Sequence, residues 1–144
     1  MSLQIASLNS GSNGNCYYIG NSTEAILVDA GISCRETEKR MLRLGLSMSI
    51  VKAIFISHEH SDHIRGLVNL SKKYNLPVYI TPGTLLYSGL KLDDMLIRTF
   101  QIDQPVPGDL VQHVVEKADA GGEIRLAGAV EVHARRDFRF RGVA

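Results

Sequence analysis

Four side chains that ligate metals stand within six residues: His58, His60, Asp62 and His63, in the run His58-Glu59-His60-Ser61-Asp62-His63. Imidazole with carboxylate suits zinc and its first-row neighbours, and a carboxylate among the ligands is more typical of catalytic than of structural sites. Alternate residues of an extended chain share a face, so His58 and His60 point toward one ion. Asp62 and His63, where the chain turns toward a helix, face a second position close by. A solvated histidine-rich turn is the plain alternative, and the density and spacing of the run weigh against it. An ion so held lowers the pKa of water from about 16 to about 7. Asp62 is the candidate catalytic residue, placed to orient that water and take its proton. Glu59 points away from its histidine neighbours, toward solvent or a supporting contact.

The elements that position this run read as alternating strand, loop and helix, which predicts α/β layering. Val51 to Ile56 is a non-alternating apolar stretch rich in β-branched residues, hence a strand buried on both faces whose end carries the ligands. Gln4 to Leu8, Cys16 to Ile19 and Ala25 to Asp29 are earlier strands, the last two joined by the turn chemistry of Gly20-Asn21-Ser22-Thr23. Ser33 opens a helix with Glu36 three residues on, in a capping-box pattern, and Gly45 stops it; Met41, Leu42 and Leu44 are its expected buried side. Ile64 to Tyr74 reads as one helix with Ile64, Leu67, Val68 and Leu70 inward. Val78 to Thr81 is a short strand, and Thr81-Pro82 caps a helix running to Leu90. Glu123 to Leu126 and Ala129 to Ala134 read as strands around an Ala-Gly turn. The stretch from Arg135 to Arg141 is basic, with no clear period.

Between the first two strands lies Ser10-Gly11-Ser12-Asn13-Gly14-Asn15. Backbone N–H groups of such a loop can form an anion-binding concavity, to which Ser10, Ser12 and Asn15 add side-chain donors. These three are the candidate substrate-binding residues, on a phosphate; an ordinary tight connection is the alternative.

The H-x-H-x-D-H run after a buried strand resembles the signature of the metallo-β-lactamase fold superfamily. Ala25-Ile26-Leu27-Val28-Asp29-Ala30-Gly31 resembles its earlier strand ending in Asp-x-Gly, and the Ser10 to Asn15 loop is similar to that of the bacterial YycJ-like branch. The resemblance covers roughly residues 1 to 105. It implies an αββα four-layer sandwich, of which residues 1–134 would be the amino-terminal half, followed by a basic tail at 135–144 outside the family pattern. It implies two divalent ions, zinc or manganese, and hydrolysis, with a phosphodiesterase or 5′–3′ exonuclease acting on DNA or RNA as the leading expectation. A thioesterase- or lactonase-type hydrolase and a non-catalytic fragment remain alternatives. It also implies that Asp29 supports a ligating imidazole; a strand-end cap at the turn is the competing reading.

The family's further ligands lie downstream, and a His-Asp-Ala context is expected where this chain has Arg135-Arg136-Asp137. The sequence therefore reads as cut, or shifted in frame, before the second half of the site, and weak metal affinity and activity are expected of it. His113 and His133 remain, each read as a solvated side chain in preference to a ligand. An uncovered sheet would favour self-association.

Bulk properties are ordinary for a globular domain: 144 residues, 44% hydrophobic, 22% charged. A formal net charge of +1 gives no global attraction to nucleic acid, so any such contact is local. Two cysteines, Cys16 and Cys34, are too few for a disulfide framework. With no basic-then-apolar start and no long apolar span, the expectation is a cytoplasmic protein not associated with membranes.

Overall fold

The computed structural model describes residues 4–57 and 59–99, together with the backbone pairing of 123–126, 130–133 and 139–142. A six-stranded mixed sheet holds its strands in chain order: β1 (Gln4–Asn9), β2 (Cys16–Gly20), β3 (Ala25–Val28), β4 (Val51–Phe55), β5 (Val78–Ile80) and β6 (Ile97–Thr99). The first three pair antiparallel; β3 through β6 pair parallel. Asn21 makes the β2–β3 hairpin, its Oδ1 accepting from the backbone N–H of Thr23 and Glu24 at 2.8 and 2.9 Å. That is the local side-chain turn expected of Asn in this position.

Parallel neighbours need crossovers, supplied by α1 (Cys34–Arg43), α2 (Ser61–Ile64) with α3 (Leu67–Tyr74), and α4 (Pro82–Ser88). Each crossover steps one strand the same way, so right-handed connections put these helices on a single face. Tyr18, Leu27, Ile54, Ile56, Val78 and Ile80 belong to the core cluster that also takes in Met41, Leu67 and Leu70 from the helices. The alternate residues Ile19, Ile26, Val28 and Phe55 are fully buried as well. Strand β4 is thus covered on both faces, Ile54 toward the helices and Phe55 away from them. The Phe55 ring stacks on Tyr79 of β5, centroids 4.5 Å apart.

Two sequence expectations are corrected here. On α1, Leu42 and Leu44 are exposed, at 79% and 53%, and the buried residues are Thr37 and Met41. The stripe that faces the sheet is set by the helical period from Thr37 to Met41, and the two leucines fall off it. Thr37 is tolerated inside because its hydroxyl donates to the Ser33 carbonyl at 3.0 Å. The helix expected over Ile64 to Tyr74 is broken into α2 and α3 at Arg65-Gly66. The Gly66 N–H leaves the helical ladder to bond the Ala30 carbonyl at 2.8 Å, and a Cβ there would lie 1.9 Å from the Ile32 carbonyl oxygen. Ser33 caps α1 by accepting from Glu36 N–H at 3.1 Å, while the Glu36 carboxylate pairs with Arg40 instead of closing the box.

A second, three-stranded antiparallel sheet joins β7 (Glu123–Leu126), β8 (Val130–His133) and β9 (Arg139–Gly142). The first two match the strands expected there. The third runs through the basic stretch that the sequence left without a period, and it is held by backbone pairing to β8.

Candidate metal centre

Parallel pairing of β3 with β4, Val28 opposite Phe55, brings the two strand ends to one edge of the sheet. Asp29 continues β3 by donating its N–H to the Phe55 carbonyl at 2.7 Å, then turns with φ 63°. Asp and Asn adopt this left-handed conformation more readily than other non-glycine residues. The next residues tie three segments together. Ala30 N–H donates to His63 O at 2.9 Å, Gly31 N–H to Asn15 O at 2.8 Å, and Asn15 N–H to Asp62 O at 2.6 Å.

The Asp29 carboxylate, fully buried, serves both sides of this junction. Its Oδ1 accepts from Ser57 N–H at 2.8 Å; its Oδ2 accepts from the Ser57 hydroxyl at 2.7 Å and lies 2.6 Å from His63 Nδ1. The Asp29 carboxylate accepts, so Nδ1 donates in this contact and Nε2 is the nitrogen that faces Asn15 and Asp62. That Nε2 is 3.6 Å from Asp62 Oδ2. Two donors bound to one zinc-like ion at tetrahedral angles lie about 3.3–3.6 Å apart, so this pair fits a shared ion.

Around that pair the other candidates are placed unevenly. His60 is exposed, at the cap of α2, with its carbonyl accepting from His63 N–H at 2.9 Å. His58, the remaining candidate ligand, lies outside the described residues, as does His113. His133 is described only by its backbone pairing in β8. Among the described residues no three His, Cys, Asp or Glu side chains gather as a metal cluster. Of the four candidate ligands, the described residues place Asp62 beside His63. Glu59 is half-buried.

Ser10 and Ser12 are exposed on the loop, whereas Asn15 is 8% exposed and turned inward. Its Oδ1 accepts from Gly11 N–H and its Nδ2 donates to Gly11 O, both at 3.0 Å. The same Nδ2 lies 3.3 Å from Asp62 Oδ2 and 3.2 Å from His63 Nε2. The loop is thus fastened directly to the Asp62 and His63 side chains. Ser57 escaped sequence reasoning altogether; the only signal was a small hydroxyl residue ending an apolar run.

The two cysteines take no part. Burial, with the nearby Asp29 charge, pushes the Cys16 thiol far above its ordinary range; Cys34 is raised by partial burial and by Glu38. Both are free thiols. No helix among the described residues is long and apolar enough to cross a membrane.

The chain is similar to several known proteins. The chain is 45% identical over 84 residues to exodeoxyribonuclease YycJ of Bacillus anthracis, covering 58% of this chain and 32% of that protein. It is 39% identical over 77 residues to exodeoxyribonuclease WalJ of Streptococcus pneumoniae, covering 54% and 29%. The chain thus spans about a third of the length of these curated relatives. Among solved structures, BJP-1, a subclass B3 metallo-beta-lactamase of Bradyrhizobium japonicum, superposes with a TM-score of 0.52 at 18% identity, over 91% of this chain and 48% of that one. At that identity the likeness is one of fold. The metallo-beta-lactamase superfamily model matches residues 10–135, most of the sequence, and with an Asp29-held imidazole beside Asp62 at the strand ends, the chain belongs to that superfamily, whose members generally bind divalent metal ions.

Proposed function

We propose that this chain carries the first half of the metal site of a nuclease-type hydrolase that cleaves phosphodiesters of DNA or RNA. The single observation that carries the reading is the Asp29–His63–Asp62 arrangement, with Asp29 2.6 Å from Nδ1 and Asp62 3.6 Å from Nε2 of one buried imidazole. The names of the relatives, exodeoxyribonucleases and a ribonuclease J, favour phosphodiesters over small esters. Asp62 and His63 would hold one ion, zinc or manganese, and His58 and His60 another. Such ions supply Lewis-acid polarisation of a phosphoryl oxygen and a supply of hydroxide at neutral pH.

The chain's own groups have distinct tasks. Asp29 fixes the His63 tautomer and ring orientation. Asp62 Oδ2, at the rim of the pair, accepts the proton of the attacking water. Ser10 and Ser12 offer hydroxyl donors to substrate phosphate, and Asn15 holds their loop against the ligands. β1 is an edge strand with Ile5 44% exposed, the surface through which copies of the chain would associate.

Calorimetric titration of the chain with zinc and manganese tests this, alongside turnover of end-labelled DNA and RNA and of a chromogenic ester. We expect at least one bound ion, lost in Asp62→Ala and His63→Ala, and cleavage that favours the nucleic acids. No metal uptake, or turnover confined to the ester, would refute the reading.

A further inference from the structure

Arg65 is the first residue after the motif's helical turn, and neither the core nor the metal pair accounts for it. Its backbone is fixed in helical geometry, N–H donating to Ser61 O at 3.0 Å, and its side chain is exposed. Among the described residues the guanidinium makes one hydrogen bond, Nη1 donating to Asn13 O at 3.1 Å. Asn13 sits at the outer turn of the loop whose Asn15 touches Asp62 Oδ2 and His63 Nε2.

Two independent constraints therefore place this charge. Residues three apart on a helical turn are neighbours, with Cβ atoms about 5–6 Å apart, so Arg65 stands beside Asp62 on the same turn. From the other side, the contact with Asn13 holds it at the rim of the loop bearing Ser10 and Ser12. The loop from Asn9 to Asn15 contains no carboxylate to neutralise it. One N–H of the fork is used on Asn13; the others are left for a ligand. A phosphodiester offers two oxygens that match the planar fork, which makes Arg the favoured residue for such a contact.

We propose that Arg65 binds a nucleic-acid phosphate adjacent to the one being cleaved, and so positions the strand across the metal site. This rests on the nuclease reading above and adds to it a substrate contact outside the metal motif. The competing role is mechanical: a strut that props the loop through Asn13. Arg65→Gln separates the two, because its amide can still donate to Asn13 O but carries no charge.

The test is fluorescence-anisotropy binding of labelled single-stranded DNA and RNA oligonucleotides to the 144-residue chain over a range of salt, with thermal melting of each variant. We expect Arg65→Gln to bind on the order of tenfold more weakly at low salt. The slope of log affinity against log salt should fall by about 0.7, the value for one phosphate contact on a single strand. The loss should be alike on DNA and RNA, with the melting temperature unchanged. Arg65→Lys should restore the slope and only part of the affinity, since an ammonium is a point charge without the fork. Wild-type affinity and slope in Arg65→Gln, with or without a lowered melting temperature, would make Arg65 a strut and overturn the proposal alone. A wild-type chain that binds neither oligonucleotide would overturn it together with the nuclease reading.

Discussion

Among the described residues, Asp29 and Glu38 are carboxylates each shared by more than one side-chain donor, and they sit in different surroundings. Asp29 lies fully buried at the end of β3 and takes Ser57 and His63. Glu38 is half-buried on α1, its Oε2 taking Lys73 at 2.7 Å and the Tyr74 hydroxyl from α3, and its Oε1 the Cys34 thiol at 3.6 Å. The chemistry of the contacts is similar; their consequences are not. Around Glu38 water screens the charges, and the Lys73 and Tyr74 side chains give up rotamer freedom to meet it, so the bridge fastens two helices only loosely. Asp29 is fully buried, with no solvent to replace a lost partner, so contacts of the same kind fix a geometry. The rigid polar network of the fold lies where the candidate ligands Asp62 and His63 stand.

The strongest way to break this contrast is Asp29→Ala. It takes from Ser57 N–H, the Ser57 hydroxyl and His63 Nδ1 the buried carboxylate they share, and removal of one member of such a network costs about 3–5 kcal/mol. Urea denaturation should show that loss, with metal affinity reduced as well. The isosteric Asp29→Asn is the finer probe. It keeps the volume and a hydrogen bond, but no longer compels the Nδ1–H tautomer, so metal affinity should fall about 10–100-fold with a smaller loss of stability. Equal metal binding by wild type and Asp29→Asn would show that His63 is oriented by packing alone.

A second change tests whether geometry, apart from charge, sets the corner. A Cβ on Gly31 would lie 1.8 Å from the Asp62 carbonyl oxygen and 2.5 Å from Asn15 N. Neither is a flexible side-chain end, so Gly31→Ala must push the loop and the metal motif apart. We expect a destabilisation of about 1–3 kcal/mol, and a loss of metal affinity although every candidate ligand is intact. A wild-type denaturation midpoint would mean the junction is looser than its hydrogen bonds indicate.

What the sequence made legible follows the same division between local and distant causes. The metal-site reading of His58 to His63 was available in the sequence because potential ligand types crowd into one short run. Ser33, Thr81-Pro82 and the apolar Val51 to Ile56 announced their elements because caps and strand burial are written in neighbouring residues. The failures are of another kind. Leu42 and Leu44 were expected inward from their chemistry, while the phase of α1, fixed by its packing on the sheet, buried Thr37 instead. The break at Gly66 comes from Ala30 and Ile32, more than thirty residues earlier in the chain. Asn15 was read as facing a substrate, and its inward turn depends on partners 47 and 48 residues away. Local sequence states which groups are available; which way they point is decided by contacts that only the fold creates.

The smallest expected effect belongs to Glu38, and its sign completes the contrast. Hydrogen bonds from Lys73 and then Tyr74 hold the Glu38 carboxyl below its ordinary value near 4.5. A carboxyl whose pKa is lower in the folded chain stabilises it fully above the ordinary value, and the contribution is lost as pH falls through the folded value. Lys73 is raised above its ordinary 10.5, chiefly by its hydrogen bond to Glu38, so its share is present below that value and lost as pH rises past it. The bridge therefore operates between roughly mildly acidic and strongly alkaline pH. Glu38→Gln should cost several-fold less stability at neutral pH than Asp29→Ala, and the difference from wild type should vanish in acid below the ordinary carboxylate range. Added salt should shrink it further, because exposed charges are screened within about 10 Å at moderate ionic strength. Thermal melts across pH and salt measure both dependences. A Glu38→Gln loss that persisted in acid and high salt would place Glu38 with Asp29, as part of the interior scaffold and not of its solvated exterior.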